Sequence, residues 1–202
     1  MLAVLFPQRQ EPILRKGPLL LRPPAPRDYK AWASLRRKSW DFLKPFEPRW
    51  TELDLAPSAY AARLRRGRVE ARQGTEFSFL IFLVEGDGER LVGGLTLSNI
   101  RRRAAQYVNL GYWMGCDYAG RGIMTQAVGL TVPFVFDTLG LHRIHAATLP
   151  GNKASRRVLE KNGFREEGYA ENYLQIDGVW ADHVLFGLTR ERYEAPGLRQ
   201  SA

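Results

Sequence analysis

A short glycine turn in the second half of the chain has the residue types of an anion site. Gly120-Arg121-Gly122 lies between an apolar segment ending at Met114 and an apolar spacing, starting at Ile123, that suits a helix. N–H groups at a helix start lack partners, and with the helix dipole they attract anions, most often phosphate. Arg121 can add a charge-assisted contact. The alternative is a strand–turn–helix join that needs small residues only for steric reasons.

Two well-known glycine motifs do not match this turn. A dinucleotide fingerprint requires a third glycine three residues after Gly122, where the chain has Thr125. A P-loop requires Gly-Lys-Ser/Thr, which the sequence lacks. The glycine turn alone therefore does not identify its ligand.

The surrounding pattern predicts an α/β fold built on one mostly antiparallel sheet. Short turns join three successive strands, and a helix joins the third of them to a parallel neighbour. Pro133 predicts a kink in the helix that follows the glycine turn. Residues 39–50 are aromatic and broken by prolines, so they cannot form a regular helix. The predicted strands are 19–22, 77–85, 91–100, 106–114, 144–148, 164–176 and 180–188, and the predicted helices are 26–38, 57–73, 123–139 and 152–162.

Length and composition predict a single cytoplasmic domain. The chain has 202 residues, 45% of them hydrophobic, and one cysteine, Cys116, so no intramolecular disulfide is possible. The apolar start is cut by Pro7 and does not read as a signal peptide, and no run reaches the roughly 20 apolar residues of a membrane span. The boundaries predicted are an irregular extension at 1–16, the domain at 17–190 and a loose tail at 191–202.

The formal net charge of +9 has two interpretations. One interpretation is attraction to a polyanion, such as a nucleic-acid-containing particle or a phosphorylated cofactor. The other interpretation is that arginines only solvate helix faces, and the segment Arg63-Leu64-Arg65-Arg66 fits this interpretation. His142, His145 and His183 do not have a metal-binding spacing, so we expect them in structural hydrogen bonds and no metal site.

Several short motifs together resemble the GNAT family of N-acetyltransferases, and within it the RimJ/RimL-type ribosomal-protein alanine N-acetyltransferases. In residues 119–124 the central Gly122 matches the family's pyrophosphate loop, and Gly122-Ile123-Met124 is a usual form in that branch. The resemblance covers about residues 17–190 and implies a sheet of about seven strands whose splayed pair forms a cleft. The other matching segments are Leu21-Arg22-Pro23, Phe42–Pro48, Pro150–Ser155, Glu160–Phe164, Glu167-Gly168-Tyr169 and Asp177–His183.

The resemblance implies acetyl-coenzyme A (acetyl-CoA) as cosubstrate. Its pyrophosphate would lie on backbone N–H groups of the glycine turn, and its pantetheine arm beside a strand that family members bulge and splay. It also implies Asn152 and Ser155 at a helix start, with Ser155 as proton donor to the leaving thiolate. Both residue types also favour a plain helix start. The cofactor-binding residues predicted are Trp113, Met114, Gly120, Arg121, Gly122, Ile123, Met124, Thr125, Asn152 and Ser155.

No carboxylate is clearly placed as the base that deprotonates the acceptor amine. Glu171 ranks first as catalytic base, ahead of Glu167, Asp41 and Glu47; alternatively Glu171 is an exposed surface acid. At pH 7, deprotonation costs about 1–1.4 kcal/mol for an α-amine but about 4.6 kcal/mol for a lysine, from their usual pKa values. An N-terminal acceptor therefore needs only a weak base. Tyr112 and Trp113 are most simply core or groove walls.

We therefore expect an enzyme that transfers acetyl directly from acetyl-CoA to the N-terminal α-amine of a protein. Its partner would be a ribosomal protein or particle, with no membrane and no specific nucleic-acid site. One alternative is a small-molecule acetyltransferase for polyamines or aminoglycosides. Another is a ribosome-binding protein whose acetyl transfer is vestigial.

Overall fold

The computed structural model describes residues 12–196, and predictions for residues 1–11 and 197–202 lie outside this range. The strands are β1 (Leu14–Lys16), β2 (Leu19–Arg22), β3 (Phe77–Glu85), β4 (Gly88–Arg101), β5 (Tyr107–Met114), β6 (Arg143–Thr148), β7 (Arg165–Ile176) and β8 (Val179–Thr189). The α-helices are α1 (Tyr29–Lys38), α2 (Trp40–Leu43), α3 (Pro57–Gln73), α4 (Ile123–Pro133), α5 (Lys153–Lys161) and α6 (Arg190–Glu194). Within residues 12–196, no helix is long and apolar enough to cross a membrane.

All eight strands form one sheet in the order β1-β2-β3-β4-β5-β6-β8-β7. Only β5 and β6 pair in parallel, with α4 crossing between them, and the other pairs are antiparallel. The predicted α/β fold is confirmed. The strand added to the predicted seven is β1, so the prediction of an irregular chain up to residue 16 is wrong for residues 14–16. Three residues are too few to show an alternation, and β1 exists because β2 pairs with it.

A gap opens between β5 and β6. The two strands pair only from Tyr107 to Asn109, whereas β5 continues to Met114. The register irregularities of β4 lie on either side of this stretch, at Val92 and between Ser98 and Arg101, while β5 keeps an unbroken register with β4 from Asn109 to Met114. The predicted splay is therefore present, but the bulges that accompany it lie in β4 rather than in β5.

Two apolar cores cover the two faces of the sheet. On one face α4 and α5 pack through residues such as Val128 and Leu159, and on the other α1 and α3 pack through Trp32 and Leu64. Because successive strand residues point to opposite faces, Tyr112 packs with the first core and Trp113 with the second. The end of β5 therefore carries side chains to both sides of the cleft.

The helix after the glycine turn breaks where its proline predicts. Its regular part ends at Pro133, which has no N–H to donate, and a π-helical turn continues from Phe134 to Thr138. Gly140, with φ +65°, lies just beyond the end of this turn. The kink predicted at Pro133 is thus confirmed.

Two further segments near the cleft and the C-terminus are defined by their contacts. Residues 39–50, which we call the aromatic loop, contain only the single turn α2 and a 3-10 turn (Lys44–Phe46), as predicted. At the other end of the chain α6 packs on the sheet, with buried Tyr193 donating to Asp137 Oδ2 at 2.8 Å. The prediction of a loose tail is wrong for residues 191–194, because the buried Tyr193 side chain anchors α6 to the rest of the fold.

Candidate active site

The glycine turn has the conformation of an anion site. Gly120 and Gly122 have φ of +76° and +75°, a left-handed conformation that favours glycine, and α4 begins at Ile123. The first helical hydrogen bond runs from Gln126 N to Gly122 O at 3.1 Å, and no side chain caps the helix. The N–H groups of residues 123–125 therefore precede the helical ladder. A Cβ on either glycine would meet nothing within 4 Å, so the space beside the turn is open.

Backbone and side chains have separate tasks in this turn. Ile123 and Met124 bury their side chains in the core, where they hold the helix end in place. Thr125 is fixed from the neighbouring helix, because Asn162 Nδ2 donates to its carbonyl at 3.1 Å. Arg121 is exposed, and its guanidinium lies 5.8 Å from the ring centroid of Tyr118. The exposed Arg121 side chain is available to a phosphate, whereas the buried Ile123 and Met124 could contribute only through their backbone.

The unpaired end of β5 leads to this turn. From Leu110 to Met114 the backbone groups that face β6 have no strand partner. Gly111 is exposed, and Trp113 and Met114 are partly exposed. An extended ligand arm could therefore pair with β5 in place of a strand and reach the glycine turn beyond it.

Ser155 faces Tyr112 across the cleft. The Tyr112 hydroxyl lies 2.9 Å from Ser155 Oγ, a contact in which either oxygen can be the donor, and 3.3 Å from the Ser155 carbonyl oxygen, which can only accept. Burial raises the pKa of Tyr112 to about 12, although the hydrogen bond from Ser155 opposes this rise. Tyr112 was predicted only as a core or groove wall. Tyr112 and Trp113 are neighbours in a strand, so their side chains lie on opposite faces of the sheet. This alternation was the sequence signal that Tyr112 points toward α5.

Asn152 caps the helix that carries Ser155. Its Oδ1 accepts a hydrogen bond from Ser155 N at 3.0 Å, so the interpretation of this pair as a helix start is confirmed. Contact of Asn152 with acetyl-CoA stays a prediction. The cap fixes Ser155 at the first turn of α5, facing β5.

Glu171 lies on the far strand of the sheet. It is exposed in an irregular part of β7, where the register with β8 shifts between Ala170 and Leu174. Asp182 stabilises this irregular stretch, because its Oδ1 accepts a hydrogen bond from Asn172 N at 2.8 Å. Among the contacts of residues 12–196, none joins Glu171 to Ser155 or Tyr112, and its role as base stays a prediction.

Two of the other acids considered as a base are engaged with arginines. Glu47 accepts from both Arg36 nitrogens at 2.7 and 2.5 Å, and Glu167 accepts from Arg143. Both carboxylates therefore already accept hydrogen bonds from arginine side chains. The Arg36–Glu47 pair is largely buried, with side chains 11% and 17% exposed.

The same arginine fixes the aromatic loop against the end of β5. The Arg36 guanidinium lies 4.6 Å from the ring centroid of Trp50 and 4.9 Å from that of Trp113. Trp50 Nε1 donates to Glu47 at 3.2 Å, which completes the cluster. Sequence reasoning assigned Arg36 only to a helix, because its partners lie in other segments.

The aromatic loop is also joined to the turn between β7 and β8. Asp177 N donates to Glu47 O at 2.9 Å, and Arg49 Nη2 donates to Asp177 O at 2.9 Å. Gly178 is required here, since a Cβ would lie 2.9 Å from Arg49 Nη2 and φ is +85°. These contacts therefore bridge two segments that are distant in the sequence, the aromatic loop and the β7–β8 turn.

Two of the three histidines have hydrogen-bond partners, as predicted. His142 Nε2 lies 2.7 Å from Glu191 Oε1, and His183 Nδ1 lies 2.9 Å from the Ala181 carbonyl. His145 packs edge-on against Tyr107, with ring centroids 4.9 Å apart. Over the described part of the chain, no three His, Cys, Asp or Glu side chains group as metal ligands would.

A splayed parallel strand pair that leads to a glycine turn and a helix start is typical of one class of acetyltransferase. The chain belongs to the GNAT family: the profile described as "Acetyltransferase (GNAT) domain" matches residues 18–165. The predicted family and the predicted class of enzyme are confirmed.

Characterised relatives place the chain near the RimJ/RimL-type enzymes. It is 38% identical over 164 residues to the [Ribosomal protein uS5]-alanine N-acetyltransferase of Escherichia coli, covering 80% of this chain and 84% of that protein. It is 35% identical over 181 residues to the probable N-acetyltransferase YjcK of Bacillus subtilis, covering 87% and 96%. Mycobacterium smegmatis RimJ, solved in complex with CoA-disulfide, superposes with a TM-score of 0.84 at 35% identity, covering 94% of this chain and 91% of that one.

Proposed function

We propose that this protein transfers acetyl from acetyl-CoA to the N-terminal α-amine of a protein. The observation that carries the proposal is the gap beyond Asn109, where β5 lacks a partner and leads to an uncapped helix start. The E. coli relative named above acts on the alanine of a ribosomal protein, which supports a ribosomal protein as acceptor here and the cytoplasm as the site of action.

The residues around the gap fit acetyl-CoA. N–H groups of residues 121–125 would hold its pyrophosphate, with Arg121 as the added positive charge. Backbone groups of Trp113 and Met114 would hold its pantetheine arm. When bound, acetyl-CoA supplies the acetyl group as a thioester and leaves as coenzyme A thiol.

Ser155 is placed to hold the proton that a departing thiolate needs. Either hydroxyl can donate in this pair; when Tyr112 donates to Ser155 Oγ, the serine proton is available to a group in the gap. A thiol has a pKa of about 8.5, so a weak donor is enough. Tyr112 acts as a positioning residue that orients Ser155.

The absence of a placed base favours an α-amine as acceptor. In residues 12–196, no acid contacts Ser155 or Tyr112, and Glu47 and Glu167 are paired with arginines. An α-amine is partly neutral at pH 7, since its pKa is only about 7.7–8.0, whereas a lysine amine needs a strong base. Water or a backbone carbonyl can accept the proton from an α-amine.

Incubation with radiolabelled acetyl-CoA tests the proposal. Two peptides of one lysine-containing sequence are compared, one with a free N-terminal alanine and one with that amine blocked. Label should enter the free peptide and not the blocked one, and Ser155→Ala should reduce the rate. Equal labelling of both peptides would contradict the assignment to N-termini.

A further inference from the structure

The closed end of the gap between β5 and β6 carries a histidine. Asn109 and His145 form the last row at which the two strands pair, and the gap opens directly beyond them. The preceding row, Val108 and Ile144, packs in the first core. Since strand residues alternate, His145 points to the opposite face of the sheet, which it shares with Trp113.

The space beside His145 on this face is open. Gly111, the next residue of β5 on the same face, is exposed, and a Cβ there would meet nothing within 4 Å. One strand spacing across and two residues along place Gly111 about 8 Å from His145, Cα to Cα. The aromatic loop packs on this face through Trp50, whereas Ser155 contacts Tyr112 on the other face. The partly exposed imidazole therefore borders the gap on the side opposite to the proposed proton donor.

His145 has both ring nitrogens free of hydrogen bonds within residues 12–196. The ring packs edge-on against Tyr107, with centroids 4.9 Å apart. The rings of His142 and His183, in contrast, each have a hydrogen-bond partner. A neutral imidazole has one nitrogen that accepts, whichever tautomer is present. In His145 this nitrogen is available to water or a ligand in the gap.

The surroundings of His145 favour its neutral form. Burial, followed by the charge of Arg143, lowers the pKa of His145 below its ordinary value of about 6.5, and the charge of Glu167 opposes this change. Arg143 pairs with Glu167 of β7, and the pair lies over Gly187, the β8 residue opposite His145. Tyr107 is the titratable group that faces the ring from β5. At pH 7 the imidazole is therefore mostly neutral and can take up a proton.

Resting on the proposed function, we propose that His145 is the general base, which takes up the proton of the acceptor amine through one water molecule. The amine nitrogen bonds to the acetyl carbon while the carbon–sulfur bond breaks, and the electron pair of that bond leaves with sulfur. The nitrogen loses one proton to His145, and the sulfur gains one from Ser155. Solvent then removes the proton from His145 and returns one to Ser155. An imidazole is a weak base for a lysine amine of pKa about 10.4, so this role fits an N-terminal acceptor.

The pH dependence of the rate tests this role on an octapeptide with a free N-terminal alanine. Below the pKa of His145, both the amine and the imidazole must lose a proton, so log kcat/KM should rise with pH at a slope of about two. His145→Gln cannot take up a proton. Its kcat/KM at pH 7 should be about a hundredfold lower, with a slope of about one throughout. His145→Glu supplies a base with a usual pKa of about 4.3, so it should restore most of the rate, with a slope of about one down to pH 5.

Two further variants control for the position of the base. His142 is exposed, lies just before β6 and is bonded to Glu191, so His142→Gln should keep both the rate and the slope. Glu171→Gln tests the rival base. A loss of rate and slope in Glu171→Gln, with none in His145→Gln, would overturn the inference and assign the proton to Glu171.

An NMR titration of the unliganded protein gives a reading that does not depend on acetyl transfer. The imidazole signals of His145, identified by their absence in His145→Gln, should titrate below about pH 6.5, at the pH where the slope of kcat/KM changes. The alanine peptide should shift these signals but not those of His142. Titration above about pH 6.5, or no response to the peptide, would overturn the inference.

These outcomes separate the inference from the proposed function. An unchanged rate and slope in His145→Gln, with N-terminal acetylation intact, would overturn the inference alone. If the unmodified protein labels no free N-terminus, the proposed function fails and the inference fails with it.

Discussion

Under the proposed function, the donor side of the cleft (β5 and the glycine turn) is built from backbone, and the acceptor side (the aromatic loop and the β7–β8 turn) from paired charges. Along the donor side, residues 110–114 and the amides of residues 123–125 have no backbone partner toward the gap within residues 12–196. Along the acceptor side, Arg36 is bound by Glu47, and Arg49 joins the β7–β8 turn. A ligand common to the family can be held by backbone, which leaves the side chains there free to vary. The side that must choose an acceptor instead has a fixed set of charged side chains.

The largest effect should come from breaking the acceptor-side charge cluster. Arg36→Ala leaves Glu47 largely buried without its partner, which should lower the free energy of unfolding by about 3 kcal/mol. Urea denaturation measures this. The neighbouring Arg37 forms an exposed pair with Glu52, so Arg37→Ala is the matched control and should change stability little. Equal effects of the two variants would refute the contrast between the two sides.

A smaller effect is expected from straining the donor-side turn. Gly122→Val forces a branched residue into the left-handed region, at a cost of about 1–2 kcal/mol, which should displace the amides. The KM for acetyl-CoA should rise about tenfold, equivalent to about 1.4 kcal/mol. Gly17, in the β1–β2 turn, also has a positive φ (+55°), so Gly17→Val imposes similar strain away from the cleft. An equal rise in KM in that control would show that general destabilisation is the cause.

The helix cap that holds Ser155 should contribute less. Asn152→Ala removes the acceptor for Ser155 N, and the free energy of unfolding should fall by about 1 kcal/mol. Asn152→Ser retains a capping oxygen and should restore most of this stability in the same urea titration. If Asn152 also contacts acetyl-CoA, Asn152→Ser should still raise the KM for it. An unchanged KM for acetyl-CoA would show that Asn152 only caps the helix.

The smallest effect should come from Tyr112. Tyr112→Phe removes one hydrogen bond to Ser155, so kcat should fall about fivefold, or about 1 kcal/mol. Tyr107→Phe, at the start of the same strand, is the control and should retain activity.

The pH profile checks the same pair. The unmodified enzyme's kcat/KM should rise with pH through the amine pKa of about 7.7–8.0. Because the pKa of Tyr112 is raised to about 12, the tyrosine keeps its proton and the rate should stay level up to about pH 10. A fall between pH 8 and 10 would contradict this assignment.

Local signals determined how much of the fold could be predicted. The prediction for α3 is correct at both ends, because Pro57 marks its first turn and Gly74, with φ +68°, its end. β5 and the turn at Gly122 were also predicted, since alternation and glycine spacing are visible in a few residues. β1 was missed because its pairing partner, rather than its own sequence, makes it a strand.

Contacts between distant segments could not be read from the sequence. Tyr112 and Ser155 are 43 residues apart, and each has an ordinary local explanation, a strand aromatic and a helix start. The role of Arg36 is visible only in the folded chain, where it contacts Glu47, Trp50 and Trp113. The backbone part of the donor side was therefore predictable, whereas the side-chain clusters needed the tertiary structure.

The bridge between Arg49 and Asp177 also orders events during synthesis of the protein. These residues are 128 positions apart, and β7 pairs only with β8, which leaves the ribosome after it. A nascent chain that stops before β8 contains Arg49 and Asp177 but lacks the strand that pairs with β7 and so fixes the β7–β8 turn. Long-range pairing forms only after the entropic cost of loop closure has been overcome. The contact between the aromatic loop and the β7–β8 turn is therefore completed last. The enzyme therefore gains its acceptor entrance only when nearly the whole chain has been made.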